Sequence, residues 1–150
     1  MDTGSVAWIL TASALVLLMT PGLAFFYGGL VRAKNAVSTI MYSFVAMGIA
    51  SIVWVLWGYS LAFGEGSSFI GDLEFIGLRG IGITDMYGGD DGVIPTLLFV
   101  MFQGMFAIIT PALICGAFAE RMKFSTMVMF SILWGTFVYC PLAHWVWGGG

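Results

Sequence analysis

Only 9% of the 150 residues are charged while 60% are hydrophobic, and the mean hydropathy of +1.01 lies far outside the range of soluble domains. Five Lys and Arg against eight Asp and Glu leave a net charge of -3, which offers no basic surface to a polyanion and excludes nucleic-acid binding. Cys115 and Cys140 both fall inside apolar runs, where a free thiol acts as a small hydrophobe, so neither a disulfide scaffold nor a metal cluster is expected.

A helix needs about 20 apolar residues to cross a bilayer, and four uncharged stretches meet that length. The first span, residues 5–31, follows the leader "MDTGSV", which carries an acid and no base. That leader and the length of the run read as a mature span rather than a cleaved signal. Arg32 and Lys34 close it, and the second span covers residues 38–63. The loop at 64–92 holds six acids against Arg79 alone; it is glycine-rich without a period of 2 or 3.6, and at most a short strand or turn is expected there.

The third span, residues 93–119, places a glutamine in hydrocarbon. Gln103 lies about one turn from the midpoint residue Phe106 and shares its face, with Phe102 beside it. Two readings are open: the amide bridges two helices, or it lines a pathway together with the aromatic rings. Arg121 and Lys123 then separate this span from the fourth, residues 124–147. The bases thus collect on one side, which puts the N-terminus and the acidic loop outside.

Pro21, Pro111 and Pro141 each free the carbonyl four residues earlier, namely Leu17, Ala107 and Phe137. Neighbouring helices satisfy such groups, or they face a conduction path, for which Ala107 is the best placed. Gly28, Gly29, Gly104, Gly116 and Gly135 allow close helix approach, as does Ala112 at four residues from Gly116. At the outer end of the last span, Tyr139, Trp145 and Trp147 read as an interfacial belt, but three glycines after Trp147 leave its indole open to a cation. His144, the only histidine, is read as a hydrogen-bonded packing residue ahead of a proton relay.

Four stretches in order carry a resemblance: "TPGLAFFYGGLVRAKN", "GYSLAFGEG", "FQGMFAIITPALICGAFAERMKF" and "AHWVWGGG". Together they resemble the ammonium transporter family, Amt/Mep/Rh, over nearly the whole chain. The resemblance implies an all-α polytopic membrane protein, a bundle of transmembrane helices whose four spans here belong to an eleven-helix inverted-repeat fold. By the same resemblance, Trp147 and Phe106 match the outer ammonium recruitment site, and Phe106 is also the upper of two gating phenylalanines. Phe26, Tyr27 and Leu113 match positions at the pore wall, Tyr139 and Gln103 match vestibule supports, and Phe102 stands beside them.

The expected function is ammonium or ammonia transport: cation recruitment at an outer aromatic vestibule, deprotonation, and passage through a hydrophobic pore. The alternative is a channel or transporter for another small solute. An enzyme is not expected, because the spans contain no acid, no lysine and one histidine from which to build an acid and base pair. No cofactor is called for. The implied setting is the plasma membrane with the N-terminus outside, as a homotrimer, with a cytoplasmic regulatory protein of the PII type as a further partner. The family continues beyond the position of Gly150 with its pore histidines, second gate phenylalanine and vestibule serine. The chain is therefore expected to be the N-terminal part of an ammonium transporter domain, and His144 is not one of the paired histidines.

Overall fold

The structure is a computed structural model that describes residues 1–150. Four long helices account for the uncharged stretches: α1 Thr3–Leu30, α2 Ala33–Phe63, α3 Thr96–Phe118 and α4 Phe124–Trp147. Asp2 starts α1 by accepting the Ser5 N–H at 2.7 Å, which satisfies one of the free donors of the first turn. α2 opens with a single 3-10 turn, Ala33–Asn35. α1 and α3 run on as continuous helices through Pro21 and Pro111.

Hydroxyls within the helices are largely satisfied by their own backbone. Thr11, Ser13, Thr39, Ser51, Thr110 and Thr136 each donate to the carbonyl four residues earlier, at 2.6 to 2.9 Å. This is how a polar side chain sits in hydrocarbon at little cost.

α1, α2 and α3 pack mutually, while α4 lies mainly on α2. The buried positions of α1 are Ser13, Thr20, Ala24 and Gly28, and those of α2 begin Thr39, Ser43, Ala46 and Ala50. These small residues recur at steps of three, four or seven, so the two backbones approach closely. A Cβ on Gly28 would lie 2.8 Å from Ile40, and one on Gly104 would lie 2.9 Å from the Trp54 ring. Gly29 and Gly135 differ from the sequence expectation: the space beside each is open, and neither serves close packing among these helices. Trp54 is the hub of the core, its N–H donated to the Val100 carbonyl at 3.0 Å and its ring near Tyr59, Phe63 and Tyr139.

The loop between α2 and α3 contains short 3-10 turns at Ile76–Leu78 and Gly89–Asp91 and one antiparallel bridge, Met86 to Pro95. It lies at the same end as the N-terminus, where the Asp2 N–H donates to the Val93 carbonyl at 2.9 Å. The basic turns meet at the opposite end. There the Glu120 carboxylate accepts the Arg32 N–H at 3.0 Å and the Asn35 amide at 2.9 Å, joining the α1–α2 turn to the α3–α4 turn.

Candidate functional site

α3 has two unlike faces. Gly104, Ala107, Ile108, Pro111, Ala112 and Cys115 are buried against the other helices. Gln103, Phe106, Thr110 and Leu113 follow at steps of three and four, with Phe102 one turn before Phe106, and they form a stripe away from that packing. Phe102 and Phe106 stand edge to face with centroids 5.1 Å apart, and Leu113 is 49% exposed. The Gln103 amide makes no side-chain hydrogen bond to any other residue of the chain, so it does not bridge two of these four helices. The Ala107 carbonyl belongs to a residue on the packed face, only 6% exposed, and not to the stripe of Phe106.

The end of the stripe nearer the basic turns is fixed by α1. Tyr27 donates its hydroxyl to the Leu113 carbonyl at 2.8 Å, with its ring over Gly116, where a Cβ would lie 2.6 Å from Tyr27 Cζ. Phe26 stands next to it at a ring distance of 5.8 Å and is 60% exposed. Phe26, Tyr27 and Leu113 are thus one group. Glu120 lies just beyond, its carboxyl held below the ordinary value of 4.5 first by the Asn35 hydrogen bond and then by the Arg32 N–H.

The end on the side of the acidic loop is built by α4. The chain turns after Trp147 through Gly148 and Gly149, the latter at φ +94, and the Trp147 indole is 54% exposed. Trp147 takes part in no ring pair, so these four helices do not bring it onto Phe106. Tyr139 points back into the bundle toward Trp54 and Trp134, each at 6.3 Å. His144 is buried, with Nδ1 3.0 Å from the Ala62 carbonyl and Nε2 2.8 Å from the Ser67 carbonyl. Both nitrogens are engaged in packing contacts, as the sequence reading of a hydrogen-bonded residue anticipated. No group of three His, Cys, Asp or Glu side chains converges to hold a metal ion.

Sequence reasoning missed Trp54, the Trp57 N–H that donates to Thr136 Oγ1 at 2.9 Å, and the Glu120 strut. A signal existed for the first two in the Trp54 and Trp57 spacing inside an otherwise aliphatic run followed by Gly58. Glu120 is the one acid among the bases that separate the third and fourth spans.

The chain is similar to proteins of bacteria, archaea and fungi. It is 54% identical to the ammonium transporter of Bacillus subtilis, over 100% of this chain and 37% of that protein. It is 48% identical to the ammonium transporter Amt1 of Archaeoglobus fulgidus, over 100% of this chain and 36% of that one. The crystal structure of Candida albicans Mep2 superposes with a TM-score of 0.87 at 39% identity, covering 99% of this chain and 32% of Mep2. The chain therefore spans about a third of the length of the curated relatives it matches. The sequence model of the Ammonium Transporter Family matches residues 7–150, and to that family this chain belongs.

Proposed function

We propose that these residues are the N-terminal part of an ammonium transporter domain, and that the full-length protein moves ammonium or ammonia across the plasma membrane as a homotrimer. The observation that carries the reading is the unpaired stripe of Phe102, Gln103, Phe106 and Leu113 on α3, joined at its inner end to Phe26 and Tyr27. A row of aromatic and apolar side chains with one amide, half-buried to exposed and turned away from the packed face of α3, suits the wall of a narrow path. Trp147 and Phe106 would receive the cation, and Tyr139 and Gln103 would support the vestibule from behind.

The chemistry follows from the lining. Aromatic faces attract ammonium and potassium alike, and hydrogen-bond acceptors then discriminate, because ammonium carries N–H donors on every side and potassium has none. Below Phe106 an apolar bore makes a charge cost several kcal/mol, about 2.5 to 3.5 even on lenient scales, so loss of the proton before passage is favoured. The basic turns at Arg32–Lys34 and Arg121–Lys123 face the cytoplasm, where a PII-type protein would dock, and the N-terminus faces out.

The test is uptake into liposomes that contain the full-length protein, with ammonium, water, urea and potassium as separate solutes. Ammonium uptake well above protein-free liposomes and insensitive to excess potassium is expected. Uptake of another solute without uptake of ammonium would replace this reading with that of a different small-solute channel.

A further inference from the structure

Two helices change their hydrogen bonding at facing positions. In α2 the Tyr59 N–H reaches back five residues to the Trp54 carbonyl, and in α4 the Cys140 N–H reaches back five to Gly135. Each makes a single π-turn, Trp54–Gly58 and Gly135–Tyr139. Pro141 follows the second turn directly, and the wider turn relieves its clash with the carbonyl of Phe137. In the first, Gly58 stands where a Cβ would lie 3.2 Å from both the Trp54 ring and the Val53 carbonyl.

The two turns are joined. Trp57 Nε1 of the first donates to Thr136 Oγ1 of the second at 2.9 Å, and that hydroxyl donates to the Ile132 carbonyl at 2.8 Å. Beside them is a void of about 10 Å³, lined by Gly58, Gly135, Tyr139 and the helix-interior Pro111 of α3. It is at the lower limit for one water. The π-turns of two helices and the helix-interior proline of a third thus meet around one small empty space.

On the outer side of the turns, the two helices are tied to each other through the loop. His144 meets the carbonyls of Ala62 and Ser67, and Trp145 Nε1 donates to the Phe69 carbonyl at 2.7 Å. Ser60 donates to the Asp72 carbonyl at 2.8 Å and accepts the Phe75 N–H at 3.0 Å. Contact with α3 is made by rings, Phe63 on Phe99 at 5.1 Å, with no hydrogen bond between them. Trp147 rides on this unit, whereas Phe106 belongs to α3.

We propose that residues 59–75 and 140–147 move as one outer cap on the paired π-turns, and that the Trp57–Thr136 hydrogen bond is the lock that sets the position of Trp147 relative to α3. Moving the extra residue of a π-turn along its helix shifts what lies beyond by about 1.5 Å and rotates it, a displacement on the scale of a gate. Trp57 and Thr136 are positioning residues for the recruitment site, and this last step rests on the transport reading given above.

Amide hydrogen exchange on the full-length protein in lipid nanodiscs, paired with ammonium uptake, tests the proposal. Thr136→Val removes the acceptor with little change of volume. Exchange in peptides over 54–59 and 135–140 should rise together, roughly three- to fivefold for one lost hydrogen bond, with α3 unchanged. Trp57→Phe should give the same paired rise, the double variant no more, and Thr136→Ser the wild-type pattern. Should one variant fail to fold, the other carries the same expectation. A rise confined to the substituted helix, or none, overturns the hinge. The paired rise with an unaltered concentration dependence of uptake keeps the hinge and overturns its role in recruitment.

Discussion

Tyr27 of α1 donates its hydroxyl to the main-chain carbonyl of Leu113 on α3 across 2.8 Å, and its ring reaches that position only because residue 116 has no side chain. Tyr27→Phe should therefore cost about 1 kcal/mol, the worth of one hydrogen bond. Gly116→Ala should cost more, about 1 to 3 kcal/mol, because the new methyl displaces the whole ring and loses the bond as well. Thermal unfolding of the purified protein ranks the two. A Gly116→Ala protein as stable as the wild type would mean that the ring does not rest there.

Glu120 gives a prediction in pH. Its carboxyl is held below the ordinary 4.5 by the Asn35 hydrogen bond first and the Arg32 N–H second, so the folded state favours the charged form. The stability it contributes is fully present above pH 4.5 and is lost as the pH falls through the lowered folded value. Asp2, held below 3.8 by its bond to Ser5, acts in the same direction at the other end. Glu120→Gln should lower stability near neutrality and flatten part of the acid limb, so that the variant and the wild type converge at low pH. An acid limb identical to the wild type would remove Glu120 from the link between the two turns.

The charge arrangement predicts topology. Arg32, Lys34, Arg121 and Lys123 occupy one end and the acidic loop the other, so a tag after Lys34 should react only from the cytoplasm and one near Gly88 only from outside. Labelling of intact cells with an impermeant reagent reads both. The reverse pattern would invert every inner and outer assignment made for the stripe.

The four spans were legible because the bilayer imposes a length that uncharged runs either reach or do not, and the charged residues marked where those runs stop. The face shared by Gln103 and Phe106 was legible from helical spacing alone. What was hidden depends on partners far along the chain. Glu120 meets a main-chain N–H 88 residues away, and the Trp54 indole finds the carbonyl of Val100 beside a glycine that only the fold puts there. Gly135 reads in sequence like Gly104, yet one opens on space and the other seats an indole. The π-turns have no periodic signature, since each is a local answer to Pro141 or to packing at Gly58.

The sharpest separation concerns Phe106 and Trp147, which lie on different helices: Phe106 is on the α3 stripe edge to face with Phe102, and Trp147 is exposed at the end of α4. If the Phe106 ring plugs the path, Phe106→Ala opens room where a water of about 30 Å³ settles, and hydration lowers the cost of charge in the bore. Potassium or methylammonium should then compete with ammonium in the Phe106→Ala protein. Trp147→Ala removes only a ring attraction of about 0.5 to 2 kcal/mol, so ammonium capture should weaken roughly two- to thirtyfold at low concentration without admitting potassium. Gln103→Leu should chiefly lower the yield of folded protein if the amide braces a helix outside these four. Ammonium current or uptake with and without excess potassium, at equal reconstituted protein, compares the four proteins. Unchanged potassium exclusion with normal uptake in Phe106→Ala would make Phe106 a packing residue and remove the pore reading from this face of α3.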